Sequence, residues 1–100
     1  MPTFRLTFRD EAEGDVDTAY DWYELQRPGL GAEFLVALDT AIERIQRGPR
    51  SQPKFDSRFR CSLLKRFPYA VYFTIEDECV IIFAVLHAKR DASVLDERNS

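Results

Sequence analysis

An α+β fold is predicted by three features of this 100-residue sequence. A short alternating segment, "TFRLTF", opens the chain; two stretches of helical period flank "RPGLG"; and three strand-like runs, "RFRCSLLKR", "YAVYFTI" and "CVIIFAVL", fill the second half. Together they predict an N-terminal strand, an α-helical hairpin and then a three-stranded antiparallel meander, with the hairpin on one face of the sheet. The length suits one modest core, so residues 1–100 are expected to form a single domain.

In the first segment Phe4, Leu6 and Phe8 alternate with Arg5 and Thr7, the period-2 signature of a half-buried strand. Asp10, followed three residues later by Glu13, suggests a capping-box variant. Ala12, Val16, Ala19 and Tyr23 then recur at helical spacing, predicting a helix from about Glu11 to Gln26 whose first turn Gly14 weakens. "RPGLG" reads as a turn. After it Phe34, Leu38, Ala41 and Ile45 form an apolar stripe that stops at Gly48-Pro49.

"GPRSQPKFDSRF" has prolines, polar residues and no period, and reads as a loop. In the run that follows, Phe59, Cys61 and Leu63 are expected on the buried face, with Arg58, Arg60 and Ser62 on a basic, solvent-facing side. Tyr69, Val71, Phe73 and Ile75 mark the next strand, and Glu76-Asp77-Glu78 its turn. "CVIIFAVL" is apolar at both parities, which predicts an interior strand.

The net charge of −3 argues against sequence-blind affinity for nucleic acid, and no direct sequence-specific DNA binding by the chain alone is expected. The average conceals a division. Residues 10–24 hold seven acids and no base, whereas residues 50–66 carry Arg50, Lys54, Arg58, Arg60, Lys65 and Arg66 against Asp56 alone. No apolar run approaches the roughly 20 residues of a membrane span, and the start has no apolar signal core, so no membrane association and a cytoplasmic location are expected. Cys61 and Cys79 lie in apolar runs without metal-ligand spacing and read as buried reduced thiols; no metal and no cofactor are expected.

Asp17, Asp21 and Glu24 fall at i, i+4 and i+7, but no His or Cys shares their helix, and a solvated face accounts for them. Trp22 with Tyr20 and Tyr23 suits a helix-hairpin core or a partner contact better than a platform for bases. "GLG" lacks phosphate-loop spacing and follows no strand. His87 stands just past the interior strand, three residues before Arg90, where a proton-transfer group beside an anion-binding group would be well placed. Capping of the strand end is its commoner role. Cys61 shares its face with Phe59 and Leu63, which makes it a poor nucleophile.

"AYDWYELQRPGLGAEF", "PKFDSRFRCSLLKRFPYAVYF" and "VIIFAVLHAKRD", in that order, resemble the RelE/ParE superfamily of type II toxin-antitoxin toxins over nearly the whole chain. The resemblance implies a small bacterial growth inhibitor, of the plasmid-stabilisation type, held silent by a cognate antitoxin. One branch of the superfamily cuts messenger RNA on ribosomes; the other poisons DNA gyrase. The ribonuclease branch implies cations alternating on the second strand, one opening the third, one after the fourth, and a tail tyrosine. Here Arg60 and Arg90 match, but Ser62 and Tyr69 stand at two of the cation positions and the tail has no tyrosine. The tail also carries Ala92, Ser93, Val94 and Leu95 where the family often has Pro and Trp. The pattern therefore favours a ParE-like gyrase poison with Arg58, Arg60, Lys89 and Arg90 as its target-binding residues. The alternative is a RelE-like, metal-independent endoribonuclease using Arg60, His87 and Arg90, with the ribosome and its messenger RNA as partners. A toxin-like fold kept only as a structural or regulatory partner is a third reading.

Overall fold

Residues 3–90 and 92–99 are described by a computed structural model of the chain. The elements run β1 (Arg5–Phe8), α1 (Asp10–Gln26), α2 (Leu30–Arg47), a 3-10 turn (Pro49–Ser51), β2 (Arg60–Leu63), β3 (Tyr69–Glu76), β4 (Cys79–His87) and α3 (Val94–Arg98). The order in the sheet is β1-β4-β3-β2. The meander is antiparallel as expected, but β1 pairs parallel to β4, so the whole sheet is mixed. Strand β4 thus occupies the interior position its two-sided hydrophobicity predicts.

The helix hairpin is held by packing more than by caps. α1 begins one residue earlier than periodicity suggests, at Asp10, and its N-cap is Arg9 with no side-chain cap hydrogen bond. The Asp10/Glu13 pair is therefore no capping box: both lie inside the helix, where their charge favours the positive end of the helix dipole. Gly14 does not interrupt the helix. Between the helices Gly29 takes a left-handed φ of 91°, and Glu24 accepts the backbone N–H groups of Gly29 and Gly31. A Cβ on Gly31 would lie 2.8 Å from the Tyr20 ring, so the second glycine permits close helix contact. Tyr23, Phe34, Phe67 and Tyr69 form a ring cluster between hairpin and sheet, with Phe34 and Tyr69 centroids 5.1 Å apart.

A bulge in β4 sets the two faces of the sheet. Tyr72 pairs with Ala84 and Phe73 with Ile82, which leaves Phe83 as the extra residue. Parity consequently switches along one strand: Val80, Ile82 and Val85 join the hairpin core, while Phe83, Ala84 and Leu86 join a second cluster with Phe59, Tyr72 and Leu95. Leu95 belongs to α3, so the chain's tail is what covers the far face.

The expected faces of β2 require correction. Ser62 is buried opposite Val71 on the helix side, where Arg44 of α2 donates to its hydroxyl at 2.9 Å, while Leu63 points to the far face and is 62% exposed. Four residues at the sheet's edge outrun the small second core, so alternation from Phe59 inward does not continue to Leu63. Arg60 shares the helix side with Ser62 and donates to the Gln52 carbonyl at 2.8 Å. This side is neither purely basic nor solvent-facing.

Past Phe8, β1 no longer accompanies β4, which continues for five residues to His87. Side chains satisfy that edge. Asp15 of α1 accepts the Val85 N–H at 2.9 Å, and Arg98 of α3 donates to the Phe83 carbonyl at 3.1 Å. Arg98 also forks onto both Asp15 oxygens, at 2.6 and 2.9 Å, with side chains only 13% and 10% exposed for Arg98 and Asp15. Removing one partner of such a pair strands the other charge. Arg98→Met is expected to cost about 3 kcal/mol in urea unfolding, and Asp15→Asn combined with it less than the sum of the two singles. A cost for Arg98→Met of about 0.5 kcal/mol, the scale of exposed ion pairs, would show the clamp to be peripheral.

Candidate functional site

Three surface regions carry the side chains singled out in the sequence. The first is a groove of about 290 Å3 between α2 and the turn after β2, lined by Val36, Thr40, Arg44, Lys65, Arg66 and Glu33. Val36 is 66% exposed beside it, and β2 is an edge strand whose outer side is partly covered by Pro53 and Lys54, so apolar surface and a sheet edge lie near one another. Glu33 ties the rim: it accepts from Arg66 at 2.8 Å and from Arg27 at 2.9 Å. Arg66 has a left-handed φ of 73°, a conformation costing an L-residue roughly 1–2 kcal/mol, so the ion pair holds a strained turn in place. Those bonds, Arg66 first and then Arg27, keep the Glu33 carboxyl below the ordinary glutamate range.

The second region is a basin of about 350 Å3 at the β2 end of the β3–β4 hairpin, lined by Arg50, Lys54, Arg58, Arg60, Thr74 and Asp77 among others. Arg58 is committed within the fold. It bridges Asp96 and Asp56 and lies over the Phe59 ring, and its guanidinium pKa is raised, first by the Asp96 hydrogen bond. For Asp56 burial acts upward, but the N–H groups of Arg58 and Phe59 and the Arg58 guanidinium prevail and lower its pKa. Arg60 is half-buried, with one nitrogen on the Gln52 carbonyl.

The third region lies at the opposite end of the sheet, a depression of about 120 Å3 lined by Asp15, Thr18, Tyr69, His87 and Arg90. The His87 ring meets Tyr69 edge-on at 5.3 Å, and its Nδ1 accepts the Lys89 N–H at 3.1 Å. That bond caps the strand end and places any ring proton on Nε2. Lys89 and Arg90 are exposed, and neither makes a side-chain ion pair among the described residues. Of the two aspartates that follow Arg90 in the chain, Asp96 is engaged with Arg58, and Asp91 lies outside the described residues.

The regions do not converge. Arg60 pairs with Phe73 and His87 with Tyr69, four residues apart along β3, which is about 13 Å of strand. Of the remaining residues, Tyr23 is core, Trp22 is exposed, and Asp17 and Asp21 are solvated, while Glu24 closes the hairpin turn. Cys61 and Cys79 are free and half-buried, and burial raises the Cys61 thiol pKa. Among the described residues no group of three or more His, Cys, Asp or Glu is placed to hold a metal. Sequence reasoning overlooked Asp15, Arg44 and Arg98. A signal for Asp15 existed, since it falls between Ala12 and Ala19 on the buried side of α1.

A family model described as ParE toxin of type II toxin-antitoxin system, parDE, matches residues 6–92. The chain belongs to this ParE toxin family. Among solved structures it is similar to one titled "Chromosomal ParDE TA system from P. aeruginosa", with a TM-score of 0.75 and 18% identity, covering 84% of this chain and 95% of that one. No curated protein matches. The structural likeness concerns the fold, and the family match identifies a ParE-like type II toxin.

The Glu33 pair generates a pH dependence. Its folded pKa is depressed, so its contribution is present above the ordinary glutamate range and is lost as pH falls through the lowered value. Wild type and Glu33→Gln should differ in urea midpoint by a constant amount above pH 6, and the difference should shrink toward pH 3. A constant difference across the series would rule out this linkage.

Proposed function

We propose that this ParE-family chain arrests growth by poisoning DNA gyrase in the bacterial cytoplasm and is neutralised by a cognate antitoxin. The family match over residues 6–92 carries the reading. Geometry supports the choice of branch, because the side chains a ribonuclease would need at one phosphodiester, Arg60, His87 and Arg90, are divided between opposite ends of the sheet. Ser62, at a position where that branch would have a cation, is buried beneath Arg44. Among the described residues no helix is long and apolar enough to cross a membrane.

Lys89 and Arg90 are the leading target contacts. They project from a turn fixed by the Lys89 N–H to His87 bond and by the Arg90 N–H to the His87 carbonyl at 2.9 Å, so permanently charged donors rise from a rigid base. Arg58 and Arg60 are secondary, since both already bond within the fold. On this reading the antitoxin lies along the α2 groove and sends a following segment to the β2 edge; exposed Val36 and Leu63 support it by offering apolar surface.

In a supercoiling and cleavage-complex assay, wild-type protein should trap cleaved DNA with gyrase at micromolar concentration. Lys89→Ala/Arg90→Ala should lose at least about tenfold in potency, as expected when charged hydrogen bonds are removed, and keep its melting temperature. Gyrase left untouched by the wild type, together with codon-phased cleavage in ribosome toeprinting, would replace this reading with the ribonuclease.

For the antitoxin, co-expression with the adjacent small gene should give one size-exclusion peak, and Val36→Asp/Leu63→Asp should separate it into two. Separate peaks for the wild-type pair would refute the docking site.

A further inference from the structure

The basin beside β3 gathers cations at the opposite end of the sheet from Lys89 and Arg90, the leading target contacts. β2 begins at Arg60, opposite Phe73, so the outer edge of β3 from Thr74 onward has no strand neighbour. A small loop fills the corner: Lys54 bridges to Arg60, and Phe55 and Asp56 both donate their N–H groups to the Phe59 carbonyl. This loop and the 3-10 turn bring Arg50, Lys54 and Arg60 from separate segments to the basin that Thr74 also lines. Arg50 is steadied over the Phe4 ring at 5.1 Å, and Arg60 by the Gln52 carbonyl.

The charge balance there is lopsided. Arg58 is neutralised by Asp56 and Asp96, so Arg50, Lys54 and Arg60 face one uncommitted carboxylate, Asp77. The Thr74 hydroxyl oxygen is buried and, among the described residues, has no hydrogen-bond partner. A buried hydroxyl without a partner is costly to keep in a fold unless something satisfies it.

We infer that this basin binds a phosphate group, with Arg50, Lys54 and Arg60 as charged donors and the Thr74 hydroxyl as a neutral one. Among the described residues carboxylates meet at most two guanidinium groups, as Asp15 meets Arg98 and Glu33 meets Arg27 and Arg66. Donors converging from several segments instead suit a tetrahedral group with three or four acceptor oxygens. The phosphate belongs either to a free phosphoanhydride or to a nucleic-acid backbone; the chemistry is shared. The site lies away from Lys89 and Arg90 and does not depend on the gyrase reading.

The test titrates the intact protein at low salt with inorganic pyrophosphate, and separately with a short DNA duplex, following heat release and melting temperature. Saturable binding of pyrophosphate is expected. Arg50→Gln/Lys54→Gln, which changes two exposed side chains, should weaken it about tenfold or more, whereas Lys89→Gln/Arg90→Gln should leave it within about twofold if the far end of the sheet is screened from the basin. Thr74→Val is the sharper variant. It should leave the ligand-free melting temperature unchanged or raise it, while weakening pyrophosphate roughly fivefold. Competition by the duplex supports a nucleic-acid source, and binding of pyrophosphate alone supports a free one. The proposal is overturned if pyrophosphate does not saturate, if Lys89→Gln/Arg90→Gln abolishes its binding, if Thr74→Val binds as wild type does, or if a glutamate-rich peptide binds the basin more tightly than pyrophosphate.

Discussion

The far half of β4 is an interior strand with a neighbour on one side only, and the rest of the molecule is arranged around that constraint. A buried backbone edge must find partners. β1 ends at Phe8, and the chain turns into α1 as the Arg9 N–H reaches the Ile82 carbonyl. Asp15, one turn and a half into α1, meets Val85; Arg98, at the end of α3, meets Phe83; and the two meet each other. The first helix and the last are thus fastened to the same stretch of strand. Because the bulge at Phe83 also turns two consecutive residues, Phe83 and Ala84, to the far face, α3 supplies Leu95 as their cover. Bulge, clamp and tail are one solution to a single unpaired edge.

This economy explains which charges remain for partners. Asp15, Glu24, Glu33 and Asp56 accept hydrogen bonds inside the fold, and Arg44, Arg58 and Arg98 donate them. Net charge counts all of these equally. Among the described residues, charges outside these bonds include Lys89 and Arg90 at one end of the sheet, Arg50 and Lys54 at the other, and an acidic stripe with Asp17 and Asp21 on α1. An overall charge of −3 consequently says little about either end.

Elements with a strong period were legible in the sequence. The stripe of α2, the turn at "RPGLG", the two-sided apolar run of β4 and its turn at Asp77 all appear where local chemistry places them. The faces of β2 were not, because four residues at an edge take their register from β3, and Arg44, sixteen residues before Arg60, decides that Ser62 is the buried one. The clamp was only half readable for a similar reason: Asp15 is marked by its place between Ala12 and Ala19 on the buried side of α1, but its partner Arg98 lies 83 positions away and carries no mark of its own. Of the candidate site residues, Lys89 and Arg90 make no side-chain ion pair among the described residues, whereas Arg58 is taken up by Asp96, which comes back from the tail.

The same packing bears on how this scaffold divides between protein binding and RNA cleavage. A ribonuclease built on these strands needs cations exposed along β2 and close to those after β4. In this chain the helix-side face of β2 is closed by Arg44, whose guanidinium reaches both the Ser62 hydroxyl and the Leu63 carbonyl. A lysine at position 62 would enter a buried site already holding a guanidinium, where two like charges cost more than either gains. Accommodating a cation at this position would require moving Arg44 first, and with it the seam between α2 and the sheet edge. The polarity of position 62 is therefore coupled to helix packing, and a charge placed there would disturb the seam that Arg44 closes.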